Sequence, residues 1–340
     1  MENQSRFVFI DYLRAFAIIG VVLLHVASPY LYLYGDVSMA AWQVGNIFDS
    51  LVRWCVPIFF MISGALLLRS NKEPSLKEIG VKTFTRLGIP FLIWSVVYYS
   101  YKLYKGVFDF GIADFFKRLI NDGIQYHFWY IYALIPIYLI APLLTKWIQR
   151  LTDKQLIYLM TIGFITVSLL PAWNFAMEDI KVTNYTPIKE YFYLFLLGYV
   201  LFRIDFTKRA RLFIYCLGAL GAVLTIILTT HFTAAKGSFE GFFYYYHSPT
   251  VILMGIALFT WTKQVCKQPN AIIQAISATS FGVYFVHLLV LDLIEPYFIQ
   301  HIINTNLLIA IPVNTIFVLL SSMLVIGVLY KIPKLKPYIG

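Results

Sequence analysis

The sequence predicts an all-α, polytopic membrane protein with about ten transmembrane helices and with both termini in the cytoplasm. Composition is the first observation behind this prediction. Apolar residues make up 60% of the 340-residue chain and charged residues 13%, and the mean hydropathy is +0.73. An average soluble domain carries about 25% charged residues, so the solvent for most of this chain is lipid. The other two observations are the length of the apolar windows and the placement of the basic residues between them.

Ten apolar windows are long enough to cross a hydrocarbon core of about 30 Å as helices of about 20 residues. In chain order they are residues 8–30, 44–68, 84–104, 128–148, 155–173, 190–206, 212–231, 247–265, 277–299 and 307–330. Membrane-spanning β-strands would be about half as long and would alternate in polarity, so helices are the better interpretation. Residues 1–340 are predicted to form one membrane-embedded domain.

The basic residues predict the orientation of these helices. With the N-terminus inside, the inner segments hold sixteen lysines and arginines and the outer segments hold seven, and the inverted topology would reverse this bias. The net charge of +10 is therefore explained by topology, and nucleic acid is not expected as a partner. The longest outer loop, residues 105–127, contains the stretch 114–120, which predicts a short amphipathic helix on the outer surface.

The first window carries three ionisable residues, Asp11, Arg14 and His25. Such residues are costly in lipid and are candidate functional residues for that reason. Eleven helical residues return to within about 20° of their starting direction, so Arg14 and His25 share one face and are separated by about 16 Å along the axis. The alternative is structural: Arg14 reaches the interface and pairs with Asp11, and His25 forms a hydrogen bond between helices.

Five ordered segments carry a resemblance to a known family. They are IDYLRAFA at residues 10–17 followed by His25, RWCVPIFFMISG at 53–64, RLGIP at 86–90, HFWY at 127–130 and SFGVYFVH at 280–287. Together they resemble the acyltransferase 3 family, and the resemblance spans about residues 8–330. Members of this family are integral-membrane enzymes that O-acylate cell-surface glycans and lipids. Lys82 is a departure, because many members have a further arginine there.

The resemblance implies a transferase that moves an acyl group from cytoplasmic acyl-CoA to a hydroxyl of an envelope glycan or lipid-linked saccharide. Acetyl is the default acyl group because it is the commonest in the family, so acetyl-CoA is the expected donor substrate and succinyl the alternative. The resemblance also implies that this enzyme lies in a bacterial plasma membrane. No metal is expected, since Cys55, Cys216 and Cys266 lack the spacing of metal ligands. The sequence leaves the acceptor sugar and the oligomeric state open.

His25 and Arg14 are the expected catalytic pair. A partly buried imidazole suits a general base, and it suits equally a group that carries the acyl moiety transiently. Arg14 offers a fork of permanently charged donors for the pantetheine arm or the thioester.

The donor phosphates are expected at a basic cluster on the inner side, formed by Arg86, Lys82 and Arg69. Ordinary positive-inside charge is the alternative interpretation of these residues.

Five further residues are candidates for the acceptor side. They are His127, Trp129, Asp49, Arg53 and His287. Trp129 beside His127 suits a sugar face, although a tryptophan there is often an interfacial anchor. Asp49 and Arg53, at i and i+4, form either a structural ion pair or a group that orients His25. His287 either faces the reaction chamber or satisfies a hydrogen bond in the core.

A function from another class competes with the transferase. The same buried charges would suit a polytopic transporter, or a component of a glycan-export complex, in which they form an ion relay. Transporters often consist of paired repeats with broken helices at corresponding positions, and the sequence shows no such pairing.

Overall fold

A computed structural model describes residues 7–71, 73–177, 180–183, 189–302, 306–332 and 335–339. Within them the chain is helical. The helices are α1 (Val8–Ala27), α2 (Met39–Val52), α3 (Cys55–Leu67), α4 (Leu76–Thr83), α5 (Ile89–Tyr104), α6 (Ile112–Ile120), α7 (Trp129–Arg150), α8 (Asp153–Phe164), α9 (Leu170–Ala176), α10 (Glu190–Arg203), α11 (Lys208–Lys236), α12 (Pro249–Val265), α13 (Ala271–Ile302), α14 (Leu307–Leu329) and α15 (Lys336–Ile339). Short 3-10 and π-helical turns join several of them, including a π-helical turn over Phe84–Gly88 that leads into α5.

The predicted helical membrane class is confirmed, whereas the count of ten spans is not. Among the described residues, eight helical segments are long and apolar enough to cross a membrane. The two windows without such a segment are 84–104 and 190–206, which contain α5 and α10.

The second window forms two helices rather than one, because α2 ends at Val52 and α3 begins at Cys55. Pro57 explains the break. A proline ring lacks a backbone N–H and clashes with the carbonyl four residues earlier, which here belongs to Arg53.

Helix α1 lies at the centre of the bundle, where it contacts α2, α3, α12, α13 and α14. Helices α3 and α10 pack backbone to backbone at two glycines. A methyl group at Gly64 would lie 1.7 Å from the carbonyl oxygen of Phe195, and one at Gly198 would lie 1.9 Å from that of Met61. Small residues permit such backbone contact between membrane helices, so these two glycines hold α10 against the wall of the bundle.

Ion pairs join the segments that the charge bias assigns to the inner side. They are Lys146–Glu73 at 2.9 Å, Arg203–Asp153 at 2.9 Å and Lys263–Asp205 at 2.8 Å. The hydrogen bond from Lys263 holds the pKa of the Asp205 carboxyl below its usual value. These segments therefore gather at one end of the bundle. That this end faces the cytoplasm stays a prediction, and three of the sixteen inner basic residues, Arg6, Lys72 and Lys334, lie outside the described residues.

The amphipathic helix expected in the loop 105–127 is present as α6. Arg118 Nε lies 2.6 Å from Asp114 Oδ2, and the Tyr99 hydroxyl donates to the same oxygen at 3.2 Å. These bonds tie α6 to the end of α5. The Arg118 bond also holds the pKa of the Asp114 carboxyl below its usual value.

Candidate active site

One cavity of about 670 Å³ runs through the bundle and collects many of the residues expected from the sequence. Arg14, Arg86, His25, His127 and Trp129 all line it. The volume falls within the range of about 300–1,000 Å³ that is usual for ligand sites. Since Arg14 and His25 lie about 16 Å apart on α1, the cavity extends through much of the length of that helix.

The inner end of the cavity is charged. Arg14 lines it together with Asp11, which accepts a hydrogen bond from Ser277 Oγ of α13 at 2.8 Å. Arg86 lies on the π-helical turn before α5, and its side chain is exposed while it lines the same cavity. A flexible ligand entering at this end would meet two guanidinium groups.

Two of the three residues expected to bind donor phosphates do not line this cavity. Lys82 is exposed on α4 and is not among the described residues that line the cavity. The Arg69 guanidinium is packed 4.3 Å from the ring centroid of Phe7 and 5.7 Å from that of Phe202. Of the expected cluster, only Arg86 is therefore part of the cavity wall.

Hydroxyl groups line the middle of the cavity. Ser63 of α3 donates to the carbonyl of Phe59 at 3.0 Å, and the Tyr138 hydroxyl donates to Ser63 Oγ at 3.4 Å. Tyr130 lines the cavity on the same helix as Tyr138. These groups offer hydrogen bonds along the path between the arginines and the histidines.

The outer end of the cavity is a cluster of three imidazoles, His25, His127 and His287. The ring of His287 lies 5.1 Å from that of His25 and 5.4 Å from that of His127, measured between centroids. The three residues come from α1, from the turn before α7 and from α13. His25 and His127 line the cavity, whereas fully buried His287 lies behind them.

Hydrogen bonds distinguish the three imidazoles. The Tyr126 hydroxyl lies 3.2 Å from His25 Nδ1. His287 Nδ1 lies 3.0 Å from the carbonyl oxygen of Val283 and 2.8 Å from that of Tyr284. Two carbonyl oxygens can only accept, so His287 Nδ1 must carry a proton. Among the described residues His287 Nε2 has no hydrogen-bond partner, and neither nitrogen of His127 has an aligned one.

Trp129 belongs to a cluster of aromatic rings on the cavity wall. Its indole lies 5.4 Å from the ring of Tyr246 at an interplanar angle of 22°, and 5.1 Å from the ring of Tyr191. Trp129 and Tyr246 both line the cavity. They present flat, partly polar surfaces next to the histidine cluster.

Asp49 and Arg53 form a buried ion pair at the break between α2 and α3. Arg53 Nε lies 2.5 Å from Asp49 Oδ1, although the two atoms are not aligned as a hydrogen bond. The Arg53 guanidinium also lies 4.0 Å from the ring centroid of Tyr244. Neither charged residue is among the described residues that line the cavity, so the geometry favours the structural interpretation of this pair.

Sequence reasoning missed the hydroxyl groups of the cavity. Three of the 25 tyrosines are concerned: Tyr138 and Tyr246 line the cavity, and the Tyr126 hydroxyl contacts His25. Nothing in their spacing separates them from tyrosines that face lipid. Tyr130 and Tyr284 offered a signal, because both lie inside segments that carry the family resemblance. Among the described residues, no group of three His, Cys, Asp or Glu side chains is arranged to hold a metal ion.

Comparison with known proteins identifies a family. The sequence model of a family described as an acyltransferase domain matches residues 7–331. The chain is 24% identical to an amino-acid racemase of Enterococcus faecalis over 312 residues, which are 84% of this chain and 41% of that protein. It is 31% identical to a serine/alanine racemase of Enterococcus gallinarum over 167 residues, 47% of this chain and 22% of that protein. The chain thus spans less than half the length of these relatives. No solved structure matches it.

Proposed function

Since the chain belongs to the acyltransferase 3 family, we propose that it is an O-acyltransferase of the bacterial plasma membrane that uses cytoplasmic acyl-CoA. The acyl group is acetyl by default, and the acceptor is a hydroxyl of an envelope glycan or of a lipid-linked saccharide. The observation that carries this proposal is the single cavity with guanidinium groups at one end and imidazoles at the other.

The donor fits the charged end of the cavity. Arg86 at the mouth binds the phosphates of CoA through charge-assisted hydrogen bonds, and the pantetheine arm extends inward past Arg14. Arg14 holds an amide carbonyl of the pantetheine arm with its planar fork of donors, so that the thioester lies further along the cavity, toward His25. The hydroxyl groups of Ser63 and Tyr138 line the route.

The transfer step takes place at His25. The imidazole removes the proton from the acceptor hydroxyl as its oxygen attacks the thioester carbon. The carbon–sulfur bond breaks, and the departing thiolate takes the proton back from His25 to leave as CoA. The alternative in which His25 itself carries the acyl group is distinguished by trapping: a labelled acyl-enzyme would form from acetyl-CoA before any acceptor is added.

The racemase relatives supply no competing activity for this chain. Their names describe proteins more than twice as long as the segments they share with it. Both relatives come from Enterococcus species, which supports a bacterial membrane as the location in this proposal.

The experiment uses inverted membrane vesicles from bacteria that express the chain, because inversion exposes the cytoplasmic face to added donor. Radiolabelled acetyl-CoA is supplied, and label is measured in the saccharide and lipid-linked saccharide fractions together with released CoA. We expect label in one of these fractions, and none above background with His25→Ala. Vesicles that release no CoA and label no saccharide would overturn the proposal and favour the transporter or export interpretation.

A further inference from the structure

His287 does not line the cavity, but it lies next to His25, which does. His287 is fully buried on α13, and its ring lies 5.1 Å from that of His25. Its Nδ1 proton is held by the carbonyl oxygens of Val283 and Tyr284, which belong to the preceding turn of the same helix. The neutral ring therefore presents Nε2 as a hydrogen-bond acceptor only.

That acceptor has no partner among the described residues, although it is buried. A buried polar atom without a hydrogen bond is costly, so one with a neighbouring donor is expected to use it. Two imidazoles that line the cavity lie beside it, and His25, at 5.1 Å between ring centroids, is nearer than His127 at 5.4 Å. The centroid distance of 5.1 Å leaves an N–N separation of about 3 Å when the two Nε2 atoms face each other, which is a hydrogen-bond distance.

A hydrogen bond between His25 and His287 would determine which nitrogen of His25 can accept a proton. If His25 donates from Nε2 to His287, its own Nδ1 carries the lone pair. Nδ1 is the nitrogen that the Tyr126 hydroxyl contacts at 3.2 Å. Tyr126 is 59% exposed, so an acceptor can reach this contact from outside the bundle. Its phenol then donates to a base in the same way as a substrate hydroxyl.

We propose that His287 is a positioning residue that holds His25 as its Nε2–H tautomer, so that His25 Nδ1 accepts the proton of an acceptor hydroxyl bound where the Tyr126 hydroxyl now lies. This inference rests on the proposed function and adds the proton acceptor and the direction of acceptor entry. A base oriented by a third group is a recurring arrangement in acyl transfer. Here the third group is a neutral imidazole, which suits a site within a membrane span because it adds no buried charge.

Two substitutions separate this role from a structural one. In His287→Gln the side-chain amide places its oxygen near the position of ring Nε2 and keeps an acceptor toward His25. In His287→Asn the amide reaches only the position of Nδ1, so it keeps the bond to the helix carbonyls and loses the acceptor. Both variants are polar, uncharged and no larger than histidine.

The measurement is the transfer of label from acetyl-CoA in inverted vesicles, with kcat and the donor KM determined separately. We expect His287→Gln to keep kcat within about 10-fold of the unsubstituted protein and His287→Asn to lose about 100-fold. The reason is that His25 becomes a charged imidazolium during transfer, and only His287→Gln keeps an acceptor for its N–H. The donor KM should be unchanged in both. Equal loss in the two variants, or no loss in either, would overturn the role of His287.

Tyr126→Phe tests the acceptor position. We expect kcat within about threefold of the unsubstituted protein, because the acceptor hydroxyl replaces the phenol at His25 Nδ1 during turnover. A loss as deep as that of His25→Ala would make Tyr126 part of the reaction and overturn this assignment. Vesicles with the unsubstituted protein distinguish failure of the proposed function from failure of the His287 role. If they transfer no label, the proposed function is wrong. If they transfer label and the variants behave otherwise than expected, only the role of His287 is wrong.

Discussion

The two ends of the cavity differ in charge and in exposure. The inner end presents Arg14 and Arg86, which are permanently charged, and Arg86 is open to solvent. The outer end presents His25 and His127, with His287 fully buried behind them. A guanidinium binds phosphate but does not exchange protons near neutral pH, whereas an imidazole does. Under the proposed function, this difference assigns ligand binding to one end and proton transfer to the other.

The largest effect is expected at the outer end. His25→Ala should reduce kcat by about 10²- to 10⁴-fold, the range for loss of a general base, while the Kd for acetyl-CoA stays the same. Calorimetry on the purified protein measures Kd, and thermal unfolding in the same detergent checks that the bundle is intact. A raised Kd for acetyl-CoA with normal kcat would assign His25 to donor binding, and the two ends of the cavity would then not differ in role.

Arg14 is the less exposed of the two arginines at the inner end, and Arg14→Lys tests whether it acts on the phosphates of the donor or on the arm that carries the thioester. Arg14→Lys keeps the charge but replaces the planar fork with a single ammonium group. We expect kcat to fall by about 10- to 100-fold, because the thioester is less well oriented, with a smaller change in donor KM. If only the donor KM rises, Arg14 belongs to phosphate binding with Arg86.

A smaller effect is expected at the inner mouth. Arg86→Ala should raise the Kd for CoA by about 10-fold at low salt and leave kcat at saturating donor nearly unchanged. Added salt should narrow the difference, because the side chain is exposed and its charge is screened. Lys82→Ala is the matched control, since Lys82 is exposed one turn earlier without lining the cavity. Equal weakening by the two substitutions would restore the basic cluster expected from the sequence.

The assignment of the two ends to the two sides of the membrane is tested by labelling rather than by a substitution that changes activity. Asp36→Cys and Lys208→Cys are introduced separately after replacement of Cys55, Cys216 and Cys266. An impermeant maleimide on intact cells should label position 36 and leave position 208 unlabelled. Labelling at 208 alone would invert the topology and exchange the donor and acceptor sides.

The inner basic residues show why local pattern is an incomplete guide to a binding site. Lys82 and Arg86 lie four residues apart, and from the sequence both are predicted to bind the donor phosphates. The chain follows a π-helical turn over Phe84–Gly88 between α4 and α5, and only Arg86 reaches the cavity. A wider turn changes the direction of the side chains that follow it, and the sequence carries no simple signal for it.

The sequence by itself determined the helical membrane class, the family and the positions of Arg14 and His25, because these depend on composition, on motif and on the period of one helix. The tertiary structure decided which distant residues meet those two. Tyr126 and His25 are 101 positions apart, and His287 comes from α13, yet the Tyr126 hydroxyl and the His287 ring both lie beside His25 at one end of the cavity. Packing between helices brings them together, through contacts as specific as those of Gly64 and Gly198. Such contacts depend on the shapes of both surfaces at once, which no single segment of sequence encodes.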